Sequence, residues 1–364
     1  MDRRSFLTKG ALGGTAAAAT ALAAPAYAAS HGSTTLTMVT SWPRGLAGVW
    51  DSVERFVNSV ADITDGSLMI DAKGAGELVG ALESFDAVSS GQADMYHAAD
   101  YYFVNQHPAL AFFTAVPMGM SAPEMMVWYY SMGGLELHHE VGEIFNTKHF
   151  IAGQTGAQGG GWFRNPITSA DDFQGLKFRM PGLGGQALSK LGASVQTLPG
   201  GEIYQALATG ALDATEWIGP WSDEKLGLQE VAKHYYPAGF HEPGAALSVC
   251  CNLDVFNGLS RSHQRAIEIA AAEGHQANYS LFIANNGPAL DRLLAAGVQT
   301  HQFTDDVWDA FGAASAEVLE GYRSDPLFAK VHDSVNAGMK AAAGWMSLSD
   351  SAYVAQRTRV LGNM

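Results

Sequence analysis

A twelve-residue pattern that occurs twice, about half a chain apart, constrains the fold more than any other feature of the 364-residue sequence. ESFDAVSSGQAD begins at Glu83 and EIYQALATGALD begins at Glu202, with alanine, glycine and aspartate at the same offsets. Each copy predicts an amphipathic helix that ends at a glycine in the left-handed conformation, before an aspartate that opens a short strand. The repeat favours two similar α/β lobes, and chance resemblance of two common helix-ending patterns is the alternative.

The rest of the sequence alternates between strand and helix patterns. TLTMVTSW (35–42) alternates apolar and polar residues, and apolar residues at helical spacing run from Val49 to Val60. LMIDA (68–72) is a second strand, and the order β-α-β favours an α/β fold with mainly parallel sheets. The last third predicts long helices, of which the first covers 260–297 and is broken near Gly287-Pro288.

Both copies of the repeat lead into an aromatic-rich segment. MYHAADYYF follows the helix of the first copy and ATEWIGPW follows the second. Ligands of open α/β sheets bind at the carboxyl ends of the strands. We therefore expect the two aromatic segments to face a shared cleft between the lobes.

The first 28 residues have the features of an export signal. Arg3 and Arg4 precede a weakly apolar run that is rich in alanine and glycine, and AYA (26–28) is a small-residue cleavage site. Paired arginines before such a run are typical of a Tat signal peptide. An uncleaved anchor is the alternative, but the run is short and weakly apolar for a bilayer span.

The formal net charge of −15 limits the expected partners. Beyond the N-terminal arginines no basic run occurs, so neither nucleic acid nor an anionic membrane surface is an expected partner. A small anionic ligand fits this charge only where a local positive group binds it. The two cysteines, Cys250 and Cys251, are interpreted as buried strand residues, because adjacent cysteines rarely form a disulfide with each other.

Arg179 is the first candidate binding residue. It stands between Phe178 and Met180 on an alternating strand that ends at Pro181-Gly182. An arginine that points away from its apolar neighbours at a strand end can form two parallel hydrogen bonds with a carboxylate. The alternative is a surface arginine that pairs with an acidic side chain.

Glu216 and Trp217 form the second candidate, in the stretch DATEWIGPWSDEKLG. Gly219 and Pro220 stop the strand there, which leaves backbone carbonyls and one carboxylate together. Such oxygen atoms suit a hard cation, and a cation makes a carboxylate tolerable beside tryptophans. The alternative is a salt bridge between Glu216 and a lysine such as Lys225.

Two further polar residues lie where regular elements are interrupted. Gln158, in GQTGAQGGGWF, offers an amide oxygen or nitrogen, and Glu242 lies in GFHEPG. Neither a G-x-S-x-G nor an H-E-x-x-H motif occurs in the sequence. His138, His139 and Glu140 are interpreted as solvated surface, because adjacent residues on a helix face different directions.

Several longer segments together resemble one protein family. They are TSWP, the two repeat copies, HPALAFFTAVPMGM, GWFRNPITSADDFQGLKFRMPGLGGQAL and TEWIGPWSDEKLGLQEVAKHYYPAGFHEPG. Over nearly the whole mature chain the sequence resembles the extracytoplasmic solute receptors of TRAP transporters. The motifs F-x-G-L-K-x-R-M-P-G and E-W-I-G-P are most similar to the branch that binds 2-oxo or 2-hydroxy monocarboxylates together with a metal ion.

The resemblance implies a two-lobed periplasmic binding protein with a hinge cleft and long C-terminal helices. It divides the chain into a signal peptide (1–28), a first lobe (29–150), a second lobe (151–250) and a lobe-crossing helical segment (251–364). It also implies solute uptake, with the membrane subunits of a TRAP transporter as partners.

The branch further implies a homodimer held through C-terminal helices. Such a dimer would give a partner to an apolar stripe in the last third of the chain, formed by Leu327, Val331, Val335 and Met339. The spacing of this stripe alone favours packing within the chain.

The resemblance also assigns contacts to the ligand, a small organic acid anion. Arg179 would grip the ligand carboxylate, and Gln158 would contact both the ligand and the cation. Tyr101 would offer a hydroxyl from the first lobe, and Glu242 would add an acidic contact.

The cation, sodium or calcium, would be bound by a second set of contacts. Glu216 would bind it through the side chain and Trp217 through the main-chain oxygen, with Gln158 and Glu242 as further ligands. Glu216 is then tolerated among aromatic residues because the cation neutralises it.

Two other functions stay open at this point. A C4-dicarboxylate or sugar acid as the ligand of the same receptor family predicts a second positive group in the cleft. A periplasmic metal-assisted enzyme on 2-oxo acids would use the same Glu216 site, but the sequence offers no obvious nucleophile or base beside it. The chain is therefore interpreted as a binding protein and not as an enzyme.

Overall fold

The computed structural model describes residues 33–362, and the predicted signal peptide lies outside the described residues. Two β-sheets form the framework. Their strands are β1 (Thr34–Thr40), β2 (Leu68–Lys73), β3 (Met95–Ala98), β4 (Thr147–Gln154), β5 (Gly161–Phe163), β6 (Lys177–Arg179), β7 (Ser194–Gln196), β8 (Ala214–Thr215), β9 (His234–Tyr236), β10 (Ala246–Asn252) and β11 (Gln299–Thr300).

Helices surround the sheets and occupy most of the last third of the chain. The α-helices are α1 (Val49–Ile63), α2 (Ser84–Ser89), α3 (Ala122–Ser131), α4 (Gly134–Glu143), α5 (Gly182–Lys190), α6 (Gly200–Ala208), α7 (Pro220–Leu226), α8 (Leu228–Val231), α9 (Leu253–Gly258), α10 (Arg261–Ala295), α11 (Asp305–Gly321), α12 (Pro326–Met346) and α13 (Asp350–Leu361). Short 3₁₀ helices cover Asp100–Phe103, Pro108–Phe113 and Ala170–Phe173.

Each sheet contains both parallel and antiparallel strand pairs. The first sheet has the order β2-β1-β3-β10-β4 and the second has the order β11-β9-β5-β8-β6-β7. Five of the nine described pairs are parallel, whereas β10 and β5 are antiparallel to both of their neighbours. Each of these two strands follows a crossing of the chain from one sheet to the other, β5 after β4 and β10 after β9.

The two copies of the repeat have the same local structure. α2 leads to β3 in the first sheet and α6 leads to β8 in the second, each through a glycine with positive φ, 79° and 76°. The carboxylate of Asp94 accepts a hydrogen bond from the N–H of Thr37 at 2.7 Å, and that of Asp213 from the N–H of Lys177 at 3.1 Å. Each aspartate thus ties the new strand to its parallel neighbour, and the two strand ends are equivalent.

α10 is one continuous helix of 35 residues, so the predicted break near Gly287-Pro288 is wrong. Near its middle it approaches β4 so closely that a Cβ on Gly274 would lie 2.6 Å from the carbonyl oxygen of Ala152. Further along, the side chain of Asn286 accepts a hydrogen bond from the N–H of Trp221 in α7 at 3.1 Å. This packing offsets the hydrogen bond that a proline removes from a helix.

His275 on α10 is a buried histidine whose Nδ1 lies 2.9 Å from the hydroxyl of Tyr130. Burial lowers the pKa of His275 from 6.5 to about 4. At pH values between these two pKa values, His275 is protonated in the unfolded chain but neutral in the folded chain. Acidification through this range therefore favours unfolding. We expect His275→Gln to lower the slope of unfolding free energy against pH by up to about 1.4 kcal/mol per unit between about pH 6.5 and 4.5.

Urea unfolding at several pH values measures that slope, and contributions of other groups cancel in the difference between variant and parent. His263→Gln, at a partly exposed histidine on the same helix, is the matched control. Parallel pH profiles for the parent and the His275 variant would contradict the expectation.

The last two helices differ in how they meet the rest of the chain. α12 buries Val331 and Val335 against α3 and α4, so the apolar stripe packs within its own chain. α13 buries no residue, and Tyr353 within it is 66% exposed. Leu348, just before this helix, is 78% exposed. Within residues 33–362, no helix combines the length and apolar character that a membrane span requires.

Candidate functional site

Three segments that are distant in sequence meet where the inner strands β9, β5 and β8 of the second sheet end or begin. Gln158 follows β4, Glu216 follows β8 and Glu242 follows β9. The N–H of Gln158 donates to the carbonyl oxygen of Glu242 at 3.0 Å, and the N–H of Gly159 donates to that of Ile218 at 3.0 Å. These backbone hydrogen bonds hold the three segments, and their polar side chains, together.

Arg179 and Glu216 form an ion pair with no solvent exposure. Arg179 ends β6 beside β8, and its Nη1 donates to Oε1 of Glu216. Its Nε donates to the carbonyl oxygen of Leu198 at 3.1 Å, and its guanidinium lies 5.3 Å from the ring centre of Trp217. Arg179 pairs with an acidic side chain, as its alternative interpretation has it, but it is buried and not at the surface. The alternative for Glu216 is wrong about the partner, which is Arg179 and not Lys225.

Several polar atoms around this ion pair have no hydrogen-bond partner. We call the side chains of Gln158, Arg179, Glu216, His241 and Glu242 the buried cluster. Its unpartnered atoms among the described residues are Oε1 of Gln158, Oε2 of Glu216, Oε2 of Glu242 and both ring nitrogens of His241. Each such atom costs about 1–3 kcal/mol when left unsatisfied, so their convergence indicates a ligand, and three carboxylate or amide oxygens fit a cation.

Two tyrosines that follow a strand of the first sheet pack against the buried cluster. Tyr101 and Tyr102 lie in the 3₁₀ helix that follows β3. The hydroxyl of Tyr102 accepts a hydrogen bond from Nη2 of Arg179 at 3.4 Å. Burial raises the pKa of Tyr101 well above its ordinary value, and the charge of Glu242 raises it further. The aromatic segments that follow the two repeat copies thus meet at one place, as predicted.

Aromatic packing and a cavity flank these tyrosines. The ring of Trp42 lies 6.0 Å from that of Tyr102 and 6.3 Å from that of Trp217. A cavity of about 370 Å³ is lined by Tyr101 and Tyr102 on one side and by residues of α5 on the other. Tyr102 therefore contacts both the buried cluster and this cavity, which has the size of a small-molecule site.

The aspartate that precedes the tyrosines belongs to a second buried polar network. Asp100 accepts hydrogen bonds from the hydroxyls of Tyr96 at 2.7 Å and Ser248 at 2.6 Å, and lies 2.9 Å from Nε2 of His138. Burial alone would raise the pKa of Asp100, but His149 and His138 outweigh it and hold that pKa well below its usual range. Because α4 turns His138 into this network, its interpretation as solvated surface is wrong.

Asp223 in α7 fixes the backbone that follows Trp217. Its Oδ1 accepts hydrogen bonds from the N–H groups of Ile218 and Gly219, both at 3.0 Å, and its Oδ2 accepts one from Nε1 of Trp162 at 2.8 Å. Burial raises the pKa of this carboxyl to about 7. Because a peptide unit is planar, the bond to the N–H of Ile218 turns the carbonyl of Trp217 away from Asp223.

The structure brings together all the site residues that were chosen from the sequence. They are Tyr101, Gln158, Arg179, Glu216, Trp217 and Glu242, all of them buried. Their individual roles toward a ligand or a cation stay predictions. Sequence reasoning missed His241 and Tyr102, and the only available signal was that each is adjacent to a chosen residue.

The fold is that of a bacterial solute-binding protein, and comparison with known proteins identifies the family. Residues 47–325 match the family model described as bacterial extracellular solute-binding protein, family 7. The chain is 42% identical over 317 residues to the monocarboxylate 2-oxoacid-binding periplasmic protein of Nostoc sp., a match that covers 87% of both chains. The chain belongs to this DctP family, the solute receptors of TRAP transporters.

Two solved TRAP solute-binding proteins have the same fold over nearly their full length. One from Bordetella bronchiseptica, a dimer with calcium and picolinate in its occupied site, has a TM-score of 0.88 and 33% identity, covering 91% of this chain and 98% of that one. One from Pseudoalteromonas atlantica, with sodium and pyruvate, has a TM-score of 0.86 and 33% identity, covering 88% and 98%. The predicted α/β fold of a periplasmic binding protein with long C-terminal helices is confirmed.

Proposed function

We propose that this receptor binds a small 2-oxo or 2-hydroxy monocarboxylate, such as pyruvate or lactate, together with a cation. The observation that carries the proposal is the buried cluster, where one arginine lies among unpartnered oxygen atoms. Arg179 binds the ligand carboxylate, while Gln158 and Tyr101 hydrogen-bond to the ligand and Glu242 adds an acidic contact. The 2-oxoacid of the Nostoc protein and the pyruvate of the Pseudoalteromonas protein support this ligand class. The picolinate and calcium of the Bordetella protein support the coarser pairing of a small monocarboxylate with a cation.

The cation in this proposal is sodium or calcium, which both prefer oxygen ligands. Glu216 would hold it through Oε2 and Trp217 through its main-chain oxygen, with the side chains of Gln158 and Glu242 as further ligands. The bound cation supplies the positive charge that offsets two buried carboxylates and attracts the oxygen at C2 of the ligand. Arg179 remains beside Glu216 and orients the ligand carboxylate.

The amount of buried positive charge favours a monocarboxylate over a C4-dicarboxylate. Within residues 33–362, Arg179 is the only lysine or arginine that is buried. A second carboxylate in this site would be desolvated without a second positive partner, which is costly. We also propose that the chain binds and releases its ligand without chemical change, as expected of a family of solute receptors.

Export and uptake complete the proposal. Residues 1–28 serve as a Tat-type signal, and the exported receptor delivers its ligand to the membrane subunits of a TRAP transporter. The extracellular description of the family and the periplasmic Nostoc relative support this location. We propose residues 29–150 as the first lobe, 151–250 as the second lobe and 251–364 as the helical segment. β4 (Thr147–Gln154) spans the boundary between the two lobes, and β10 (Ala246–Asn252) spans the boundary between the second lobe and the helical segment.

We propose a homodimer in which α13 and the end of α12 form the contact, in place of the apolar stripe that the chain itself buries. Trp345 at the end of α12, Leu348 between the two helices and Tyr353 in α13 are 70%, 78% and 66% exposed. Contiguous exposed apolar residues mark interaction surfaces. The dimer formed by the Bordetella protein supports a dimeric state.

Isothermal titration of metal-stripped protein tests the proposed function. We expect pyruvate or lactate to bind only after sodium or calcium is restored, because Glu216 and Glu242 would otherwise repel the anion. Propionate, which has the same chain length without the oxygen at C2, is the matched control ligand. Equal binding of propionate and pyruvate, with and without the cation, would overturn the proposal.

A further inference from the structure

His241 brings an imidazole into the buried cluster. It is 1% exposed, and neither ring nitrogen has a hydrogen-bond partner among the described residues. Its Nε2 lies 3.4 Å from Oε2 of Glu216 and 3.9 Å from Oε1 of Glu242. A nitrogen that is buried between two carboxylates, and hydrogen-bonded to neither, is placed to share a cation with them.

The position of this ring is fixed by its surroundings. The carbonyl oxygen of Phe240 accepts a hydrogen bond from the N–H of Met118 at 3.1 Å, which anchors the backbone just before the ring. A Cβ on Gly184 would lie 3.0 Å from Cβ of His241, and a Cβ on Gly239 would lie 2.9 Å from its Cε1. Glycine at both positions leaves room for the imidazole, so packing holds the ring in the cluster without a hydrogen bond of its own.

We propose that His241 is a nitrogen ligand of the cation, so that this receptor also takes a divalent transition ion such as Co²⁺ or Zn²⁺. The inference rests on the proposed function, because it concerns the same cation site. Imidazole nitrogen favours first-row transition ions, whereas a set of oxygen atoms alone favours calcium. The 3.4 Å between Nε2 and Oε2 of Glu216 matches two tetrahedral ligands on an ion with bonds of about 2.1 Å.

The test compares Co²⁺ with Ca²⁺ in the parent protein and in His241→Gln. Metal-stripped protein is titrated with each ion by calorimetry in the presence of pyruvate, and the visible absorption of bound Co²⁺ is recorded. Glutamine keeps an uncharged oxygen donor and removes the nitrogen. We expect the affinity for Co²⁺ to fall by about tenfold or more, the absorption spectrum to change, and the affinity for Ca²⁺ to change by less than about threefold.

A second histidine variant controls for binding elsewhere. Nδ1 of His234 lies 2.9 Å from Nε2 of His301 in a partly exposed pair that could also hold a transition ion. We expect His234→Gln to leave the pyruvate-dependent binding of Co²⁺ unchanged.

The outcomes separate this inference from the function on which it rests. An equal loss of Co²⁺ and Ca²⁺ affinity in His241→Gln, or an unchanged affinity for Co²⁺, would overturn the inference and leave the proposed function standing. A parent protein that binds pyruvate but no cation of either kind would overturn both.

Discussion

Replacement of Arg179 by alanine is expected to weaken binding of a 2-oxo monocarboxylate by about a hundredfold or more. Truncating one partner of a hydrogen-bonded charge pair that is buried at a binding interface costs about 2–5 kcal/mol of binding free energy, and 1.4 kcal/mol is about tenfold in affinity. No other lysine or arginine is buried within residues 33–362, so no other buried basic side chain replaces the lost guanidinium. Calorimetric titration with pyruvate in the presence of the cation measures the loss, and affinity within about tenfold of the parent would show that Arg179 is not the main anchor.

The same substitution leaves Glu216 buried without its partner, so lost binding must be separated from lost stability. Arg179→Met/Glu216→Gln removes both charges at similar volume, a kind of replacement that is often close to neutral for stability. We expect this double variant to melt closer to the parent than Arg179→Ala does, and still to bind no pyruvate. Arg292→Ala, which breaks the exposed pair with Glu224, is the matched control and should bind normally.

The local structure of the repeat could be predicted because it depends on neighbours in sequence. A glycine with positive φ and an aspartate that accepts a strand N–H lie within twelve residues in each copy. Equal local chemistry gives equivalent strand ends, and Tyr101 and Glu216 follow those two ends. Glycine and proline also end the strands at Arg179 and Glu216. These residues are visible in the sequence, so the site could be located without knowing which strands are neighbours.

Contacts between distant segments could not be predicted in this way. The register of β6 and β8 places Arg179 opposite Thr215, which brings its side chain to Glu216. Spacing in sequence does not show which strands are neighbours. The sequence therefore predicts a ligand carboxylate as the partner of Arg179 and a cation as the partner of Glu216, whereas in the structure the two side chains pair with each other. His138 is a similar case, because helix periodicity does not show that Asp100 lies opposite it.

The second large effect is expected at Asp223, which does not itself contact the proposed ligand. Asp223→Ala removes the acceptor of the N–H groups of Ile218 and Gly219, and thereby frees the peptide unit that carries the carbonyl of Trp217. Loss of a group that orients a metal ligand typically weakens metal binding by about 10–100-fold. We expect a loss of this size when metal-stripped protein is titrated with Ca²⁺ in the presence of pyruvate.

A conservative pair of substitutions distinguishes orientation of the backbone from stability of the fold. Asp223→Asn keeps a carbonyl oxygen that can accept from the two N–H groups, but its amide NH₂ then faces Nε1 of Trp162, which is also a donor. Trp162→Phe removes the indole donor and with it this conflict. If Asp223 acts by holding the peptide unit, the combined variant should bind Ca²⁺ within about threefold of the parent, whereas Asp223→Ala should not. The titrations are made at a temperature where thermal unfolding shows both proteins to be folded. If Asp223→Ala then has the Ca²⁺ affinity of the parent, the carbonyl of Trp217 either needs no support from Asp223 or does not bind the ion.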